Sequence, residues 1–311
     1  MKLTDKNYIE RDVSWMYFNY RILAEAQRED IPLLERFNFL GIYSNNLDEF
    51  FRVRVATLSR IIDIADNSNK VLRERSENTL KTVNKLNSKY AKIFEETVRD
   101  ITDKLAEQNI YLVKENDLDE EQREFVRQYC LSHLAGSLSP SWLSAVKALT
   151  ASADDTIFLM VRLQQWKQDK KKPERNYAIV ELPVRQFGRC IMPQSRGEEQ
   201  YIMYLDDVIR CALPYMFPGT GYNQFEAWSF KFTKDAEMEI ESDIQGGMLQ
   251  KITKGVKSRK NGLPVRLIYD HQMPKEVLKR LMKHLDLSSL DEPSNVVPPR
   301  LILGRYQVSL E

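Results

Sequence analysis

Leu80, Val83, Leu86, Tyr90, Phe94, Val98, Ile101 and Leu105 recur every three or four positions through a stretch whose other positions are largely polar or charged. That stripe predicts one long amphipathic helix over residues 71–108. A helix of that kind buries its stripe against other helices. The preceding residues supply them. Ser14 is expected to cap a helix through Ala26 that buries Trp15, Phe18, Ile22 and Leu23. Pro32 suits the first turn of a short second helix carrying Leu33, Leu34, Phe37 and Leu40, closed by Gly41. A third helix is expected to start at Asn45 or Asn46. Asp48 and Glu49 then occupy its first turn, where the helix dipole favours acids. Its apolar positions are Leu47, Phe50, Phe51, Val55, Leu58, Ile61, Ile62 and Ala65, and residues 66–69 form a polar break. Residues 1–112 thus read as an antiparallel helical bundle.

The pattern changes near residue 113. One more helix is expected over residues 119–134. Extended runs follow at 157–163, 177–182, 189–192, 228–233 and 265–269, with helical patterns at 205–217, 240–256 and 275–285 between them. Turn signals at Lys172-Pro173, Arg196-Gly197, Pro218-Gly219 and Asn261-Gly262-Leu263-Pro264 separate these elements. Strands and helices without a strict βαβ rhythm predict an α+β domain with a largely antiparallel sheet over residues 113–300. The fold class is therefore multidomain, α followed by α+β. Residues 291–299 read as a linker rich in Pro, Ser, Asn and Asp. Residues 300–303 read as one strand, and residues 301–311 as the start of a connection to further domains.

Lysine and arginine total 46 against 45 aspartates and glutamates, a net charge of +1 that argues against a general nucleic-acid binder. No run of about eighteen apolar residues exists to span a membrane. Residues 1–6 lead into no apolar signal region. Cys130, Cys190 and Cys211 are odd in number and widely spaced, which suits buried thiols in a reducing compartment. The expected location is cytoplasmic. His133, His271 and His284 have no metal-ligand spacing, and no phosphate-binding glycine loop or nucleophile elbow is present. The sequence offers no catalytic set and no metal site.

The run FLGIYSNNLDEFFRVR at residues 39–54 stands apart. One asparagine suffices to cap a helix. The second, Asn46, either shares that task or presents an amide whose donors and acceptor match an adenine edge. Arg52, Arg54 and Arg60 follow, with Arg54 near the apolar face and turned toward a neighbouring domain. They read either as phosphate-facing or interdomain groups or as ordinary ion pairs. Residues 167–172, rich in lysine, read as a solvated hairpin loop. Trp142, Trp166 and Trp228 read as core or interface residues.

The segment from Tyr8-Ile9-Glu10-Arg11 through Ser14-Trp15, Phe18-Asn19, Arg21-Ile22-Leu23 and residues 32–36 to Arg54 closely resembles the N-terminal signature of bacterial polyphosphate kinases. Residues 205–210, 232–237, 264–267, 272–274 and 304–306 continue the resemblance, and 307–311 depart from the family's usual His-Asn-Phe. The resemblance implies half of an enzyme that reversibly transfers the terminal phosphate of ATP to inorganic polyphosphate through a phosphohistidine. It places the catalytic histidines and the Mg2+-holding groups in C-terminal domains outside this chain. It implies that Asn46 touches ATP, that a head domain over residues 113–300 forms the homo-oligomer contact, and that this chain alone is inactive. Peripheral attachment to the inner membrane stays open. The alternative is a stand-alone interaction or polyphosphate-binding module without catalysis.

Overall fold

The computed structural model describes residues 8–64, 69–146, 156–167, 172–235, 264–285 and 296–297. Helix α1 (Arg11–Ala26) begins three residues before Ser14, whose N–H already bonds the Glu10 carbonyl at 2.8 Å. The buried stripe is Val13, Met16, Asn19, Leu23 and Ala26, while Phe18 points outward. Trp15 and Ile22, also expected inside, pack half-buried against the same core, so of the four residues expected to be buried only Phe18 faces outward. Helix α2 (Leu33–Phe50) runs from Pro32 straight through Gly41. An interior glycine costs about 1 kcal/mol relative to alanine, and the packing of α2 against α1 and the long helix outweighs it. The two helices expected on either side of Gly41 are therefore one. A π-helical turn (Phe51–Val55) leads into α3 (Ala56–Ile64), and α4 (Lys70–Ala106) is the expected long helix. Val83, Tyr90, Phe94, Val98, Ile101 and Leu105 of α4 are buried with Leu40, Tyr43, Leu47, Phe50, Phe51 and Val55.

Strand β1 (Ile110–Val113) is followed by α5 (Glu120–Tyr129), which opens with a reciprocal cap between Asp119 and Gln122 and continues as a π-helical turn, Cys130–Leu134. Then come β2 (Ser141–Trp142), β3 (Phe158–Gln165), β4 (Glu174–Glu181), the short α6 (Val184–Phe187), β5 (Cys190–Ile191), β6 (Gln200–Tyr204), α7 (Leu205–Met216), β7 (Gln224–Lys234), β8 (Pro264–Asp270), α8 (Lys275–His284) and β9 (Val296–Val297). A six-stranded sheet has the order β2-β4-β3-β7-β8-β9 and is antiparallel except for its β8–β9 edge. The expected linker at 291–299 thus contains an edge strand at 296–297. The pattern at 240–256 and the strand at 300–303 lie outside the described residues.

A second, three-stranded sheet pairs β1 in parallel with β6, which then pairs antiparallel with β5. Strand β6 escaped the sequence reading because five residues beside a helix give little periodicity. Residue 113, where the sequence changes character, is the last residue of β1. Tyr204 of β6 is buried in the bundle core, so the two halves interlock there.

The large sheet is covered on both faces. Leu159, Val161, Ala178, Val180 and Ile268 share a core with Val126 of α5 and Val208 and Leu213 of α7. Phe158, Met160, Trp228, Phe230, Phe232 and Leu267 share another with Val277 and Leu281 of α8. The alternate residues of β7, Ser229, Lys231 and Thr233, are polar and also buried. What covers them defines the sites below.

Candidate functional site

Asn46 lies in the last turns of α2 and not at a helix start, so it caps nothing. Its position is set by a short amide relay across the α1–α2 seam. Asn19 Nδ2 donates to the Tyr43 carbonyl oxygen at 3.2 Å, and Asn46 Nδ2 donates to Asn19 Oδ1 at 3.2 Å. Asn19 is buried and Asn46 half-buried. A carboxamide has two N–H donors and an oxygen acceptor, so this bond leaves Asn46 one donor and its acceptor. One turn further along, Trp15 of α1 stacks on Phe50 of α2 with centroids 4.2 Å apart. Ile42, one turn before Asn46, is 39 % exposed, and Phe18, beside Asn19, is 55 % exposed. The seam thus holds a fixed amide, with apolar side chains exposed nearby on both helices. That combination suits a flat heterocycle with an adjacent donor and acceptor on its edge.

Asp48 has quite different surroundings. Its Oδ2 accepts from Lys231 Nζ at 2.8 Å and its Oδ1 from Arg266 Nη1 at 2.5 Å. The three side chains are only 5 %, 1 % and 4 % exposed, in that order. Burial pushes the Asp48 carboxyl up, but Lys231 and Arg266 more than reverse this and hold it below the usual carboxylate range. The Arg266 guanidinium also lies over the Phe51 ring, 4.8 Å from its centroid. The acid expected to interact with a helix N-terminus instead ties the bundle to β7 and β8. Lysine in the run Phe230-Lys231-Phe232 and arginine in Val265-Arg266-Leu267 were the available signals, since a cation inside an apolar strand needs a carboxylate if its face is covered.

The arginines after Asp48 divide their roles. Arg54 engages Asp12 of α1 through Nε and Nη2 at 2.8 and 3.1 Å, within the bundle. Arg60, not singled out for this over its neighbours, reaches Asp235 at the end of β7. Arg52 approaches Glu49 at 3.8 Å. Lys167 pairs with Glu174 at 2.6 Å at the base of the β3–β4 hairpin, and residues 168–171 lie outside the described residues. Trp228 is buried and Trp142 half-buried, whereas Trp166 is exposed and joins no core among the described residues. The three thiols are free, with Cys130 buried and the other two half-buried.

A second buried charged cluster includes residues 206, 207 and 210, which the sequence offered as a helix and as part of the family resemblance but not as a cluster. Arg189 Nη1 and Ser229 Oγ each donate to Asp206, both at 2.7 Å. Arg210 donates to Ser229 Oγ at 2.8 Å and to Asp207 Oδ1. Burial pushes the Asp207 carboxyl up, with Asp206 adding to the shift and Arg210 only partly opposing it. Asp206 is held low because Arg189 and Arg210 outweigh its burial. Asp206 and Asp207 sit in the first turn of α7, where acids are unremarkable on a solvated helix.

The comparisons with known proteins divide the chain in the same order as its folded parts. Residues 8–113 match the polyphosphate kinase N-terminal domain and residues 121–297 the polyphosphate kinase middle domain. The chain belongs to the polyphosphate kinase family. The polyphosphate kinase of Vibrio parahaemolyticus is 33 % identical over 312 residues, covering 97 % of this chain and 42 % of the relative. That of Escherichia coli is 30 % identical over 306 residues, with the same shares covered. The crystal structure of polyphosphate kinase from Porphyromonas gingivalis has the same fold, with a TM-score of 0.73 at 23 % identity over 95 % of this chain and 40 % of that one. This chain therefore spans about two fifths of the length of the curated relatives it matches. No described helix is long and apolar enough to cross a membrane. Among the described residues no group of three His, Cys, Asp or Glu side chains could hold a metal ion.

Proposed function

We propose that this chain forms the adenine-side wall of the ATP site in an ATP–polyphosphate phosphotransferase, with Asn46 as the residue that contacts the base. The observation that carries this reading is the amide relay from Tyr43 through Asn19 to Asn46. It leaves a donor and an acceptor on a side chain with apolar neighbours. Family membership supplies the substrates: ATP or ADP, and inorganic polyphosphate. Phosphoryl transfer also needs cationic clamps and a metal such as Mg2+. In this reading the parts of the enzyme beyond this chain supply those and the phosphorylated histidine, so the chain alone is inactive. The α+β half serves as the homo-oligomer contact, and the protein works in the cytoplasm.

Asn46→Ala in the full-length enzyme tests the site. Loss of one neutral hydrogen bond to the base is expected to raise the KM for ATP several-fold, equivalent to about 0.5–1.5 kcal/mol, and to leave the KM for polyphosphate unchanged. Equal changes in both constants, or none, would remove Asn46 from the nucleotide site. Asn46→Asp sharpens the test, because aspartate keeps the oxygen but loses the amide donors.

A further inference from the structure

We infer that Asp48, gripped by Lys231 and Arg266, is a positioning residue for nucleotide selection: it fixes the rotation and height of α2 and thereby the direction in which Asn46 points. This rests on the proposed role of Asn46 and adds the device that makes it effective. Asn46 and Asp48 are two residues apart on one helix, so their side chains diverge by about 200° and their backbones by about 3 Å of rise. The amide therefore meets the α1 seam while the carboxylate meets the sheet.

An apolar contact could hold the same two surfaces together but would let the helix turn or slide. Asp48 cannot do so, because each oxygen is committed to a different cation on a different strand, Lys231 on β7 and Arg266 on β8. Phe51, one turn on, lies beneath the Arg266 guanidinium and adds a third point. The π-helical turn that begins at Phe51 sits against these same strands. Buried ion pairs of this kind contribute little net stability over apolar substitutes, and register is their best-attested use. Arg60 on α3 reaches Asp235 and holds the following helix to the C-terminal end of β7.

The test uses the full-length protein and equilibrium titration with non-hydrolysable ATP and GTP analogues. A titration reports the dissociation constant of the folded fraction, so lost stability alone leaves the ATP-to-GTP preference unchanged. Asn46→Ala is expected to reduce that preference several-fold. Asp48→Asn is expected to reduce it to a similar level, and Asn46→Ala with Asp48→Asn together no further. Arg266→Lys keeps the charge but loses the planar fork and the contact with Phe51, so it too should erode the preference, and it decides the matter if Asp48→Asn does not fold. If Asn46→Ala loses the preference while Asp48→Asn and Arg266→Lys retain it, Asp48 is a structural ion pair only. Additive losses in the double variant would equally separate Asp48 from Asn46. If Asn46→Ala itself keeps the preference, the adenine reading fails, and this inference with it.

Discussion

Two buried charged clusters lie two residues apart on one face of β7, and they have opposite make-up. At Ser229, Asp206 and Asp207 converge on Arg189 and Arg210 from α7 and the segment before β5, with Glu115 facing Asp207. At Lys231, a single carboxylate from α2 serves two cations from the sheet. Carboxyls can adjust their charge in the physiological range by taking up a proton, whereas a guanidinium cannot give one up. The first cluster can therefore settle its own balance, and burial beside Asp206 pushes its Asp207 carboxyl up. The second sets one carboxylate against two cations, so Asp48 carries the link between α2 and both strands. The first is also enclosed within one half of the molecule. The second lies where two halves meet and can reach water if they part.

Removing an acid from the enclosed cluster should have the largest effect. Asp206→Ala removes the carboxylate paired with the Arg189 guanidinium, which is only 2 % exposed. It should cost about 3–5 kcal/mol, seen as a lower denaturation midpoint for the whole chain. A cost below about 1 kcal/mol would mean that water or another acid already compensates Arg189. Asp48→Asn should cost less, about 2–3 kcal/mol, because undocking lets Lys231 and Arg266 hydrate. Hydrogen exchange should then show the last turn of α2 and the 51–55 turn losing protection before β3 and β7 do. Simultaneous loss across all of these would erase the distinction between an enclosed and a junctional cluster.

At acid pH the smallest effect is expected at Asp207, and as pH rises its sign is opposite. Its folded carboxyl is pushed up to about 8, above its unfolded value, so the native state binds more protons than the unfolded chain between about pH 4 and about pH 8. Stability is lost as pH rises through that window. Asp207→Asn mimics the protonated group and should flatten the profile, changing stability at pH 4 by less than about 0.5 kcal/mol and raising it at pH 7. A steeper loss at neutral pH in the variant would show that Asp207 works as an anion beside Arg210.

The legible parts of the fold were those with many turns of evidence. Helix α4 followed from its eight-residue stripe with ends within two residues, and β3, β4, β7, β8, α7 and α8 lay where the patterns put them. Short segments beside glycine or proline were less legible. Gly41 looked like a stop because local propensity disfavours it, and packing overrode that by a small margin. Of the site, the residue type and position of Asn46 came from the sequence through its resemblance to a family. Its surroundings did not, because the capping argument depended on a helix start that does not exist.

The amino-acid sequence by itself determined the periodicities: 3.6 along the bundle and 2 along the strands. It also determined that Trp228, Phe230 and Phe232 lie on one face of β7 and Ser229, Lys231 and Thr233 on the other. Alternation says only that two faces differ, and a polar face usually meets water. Only the tertiary structure decided that this one is covered, by α7 at Ser229 and by α2 and the 51–55 turn at Lys231. The physical reason is that a strand's pattern records its own side chains, whereas a buried charge depends on a partner 183 residues away in the chain.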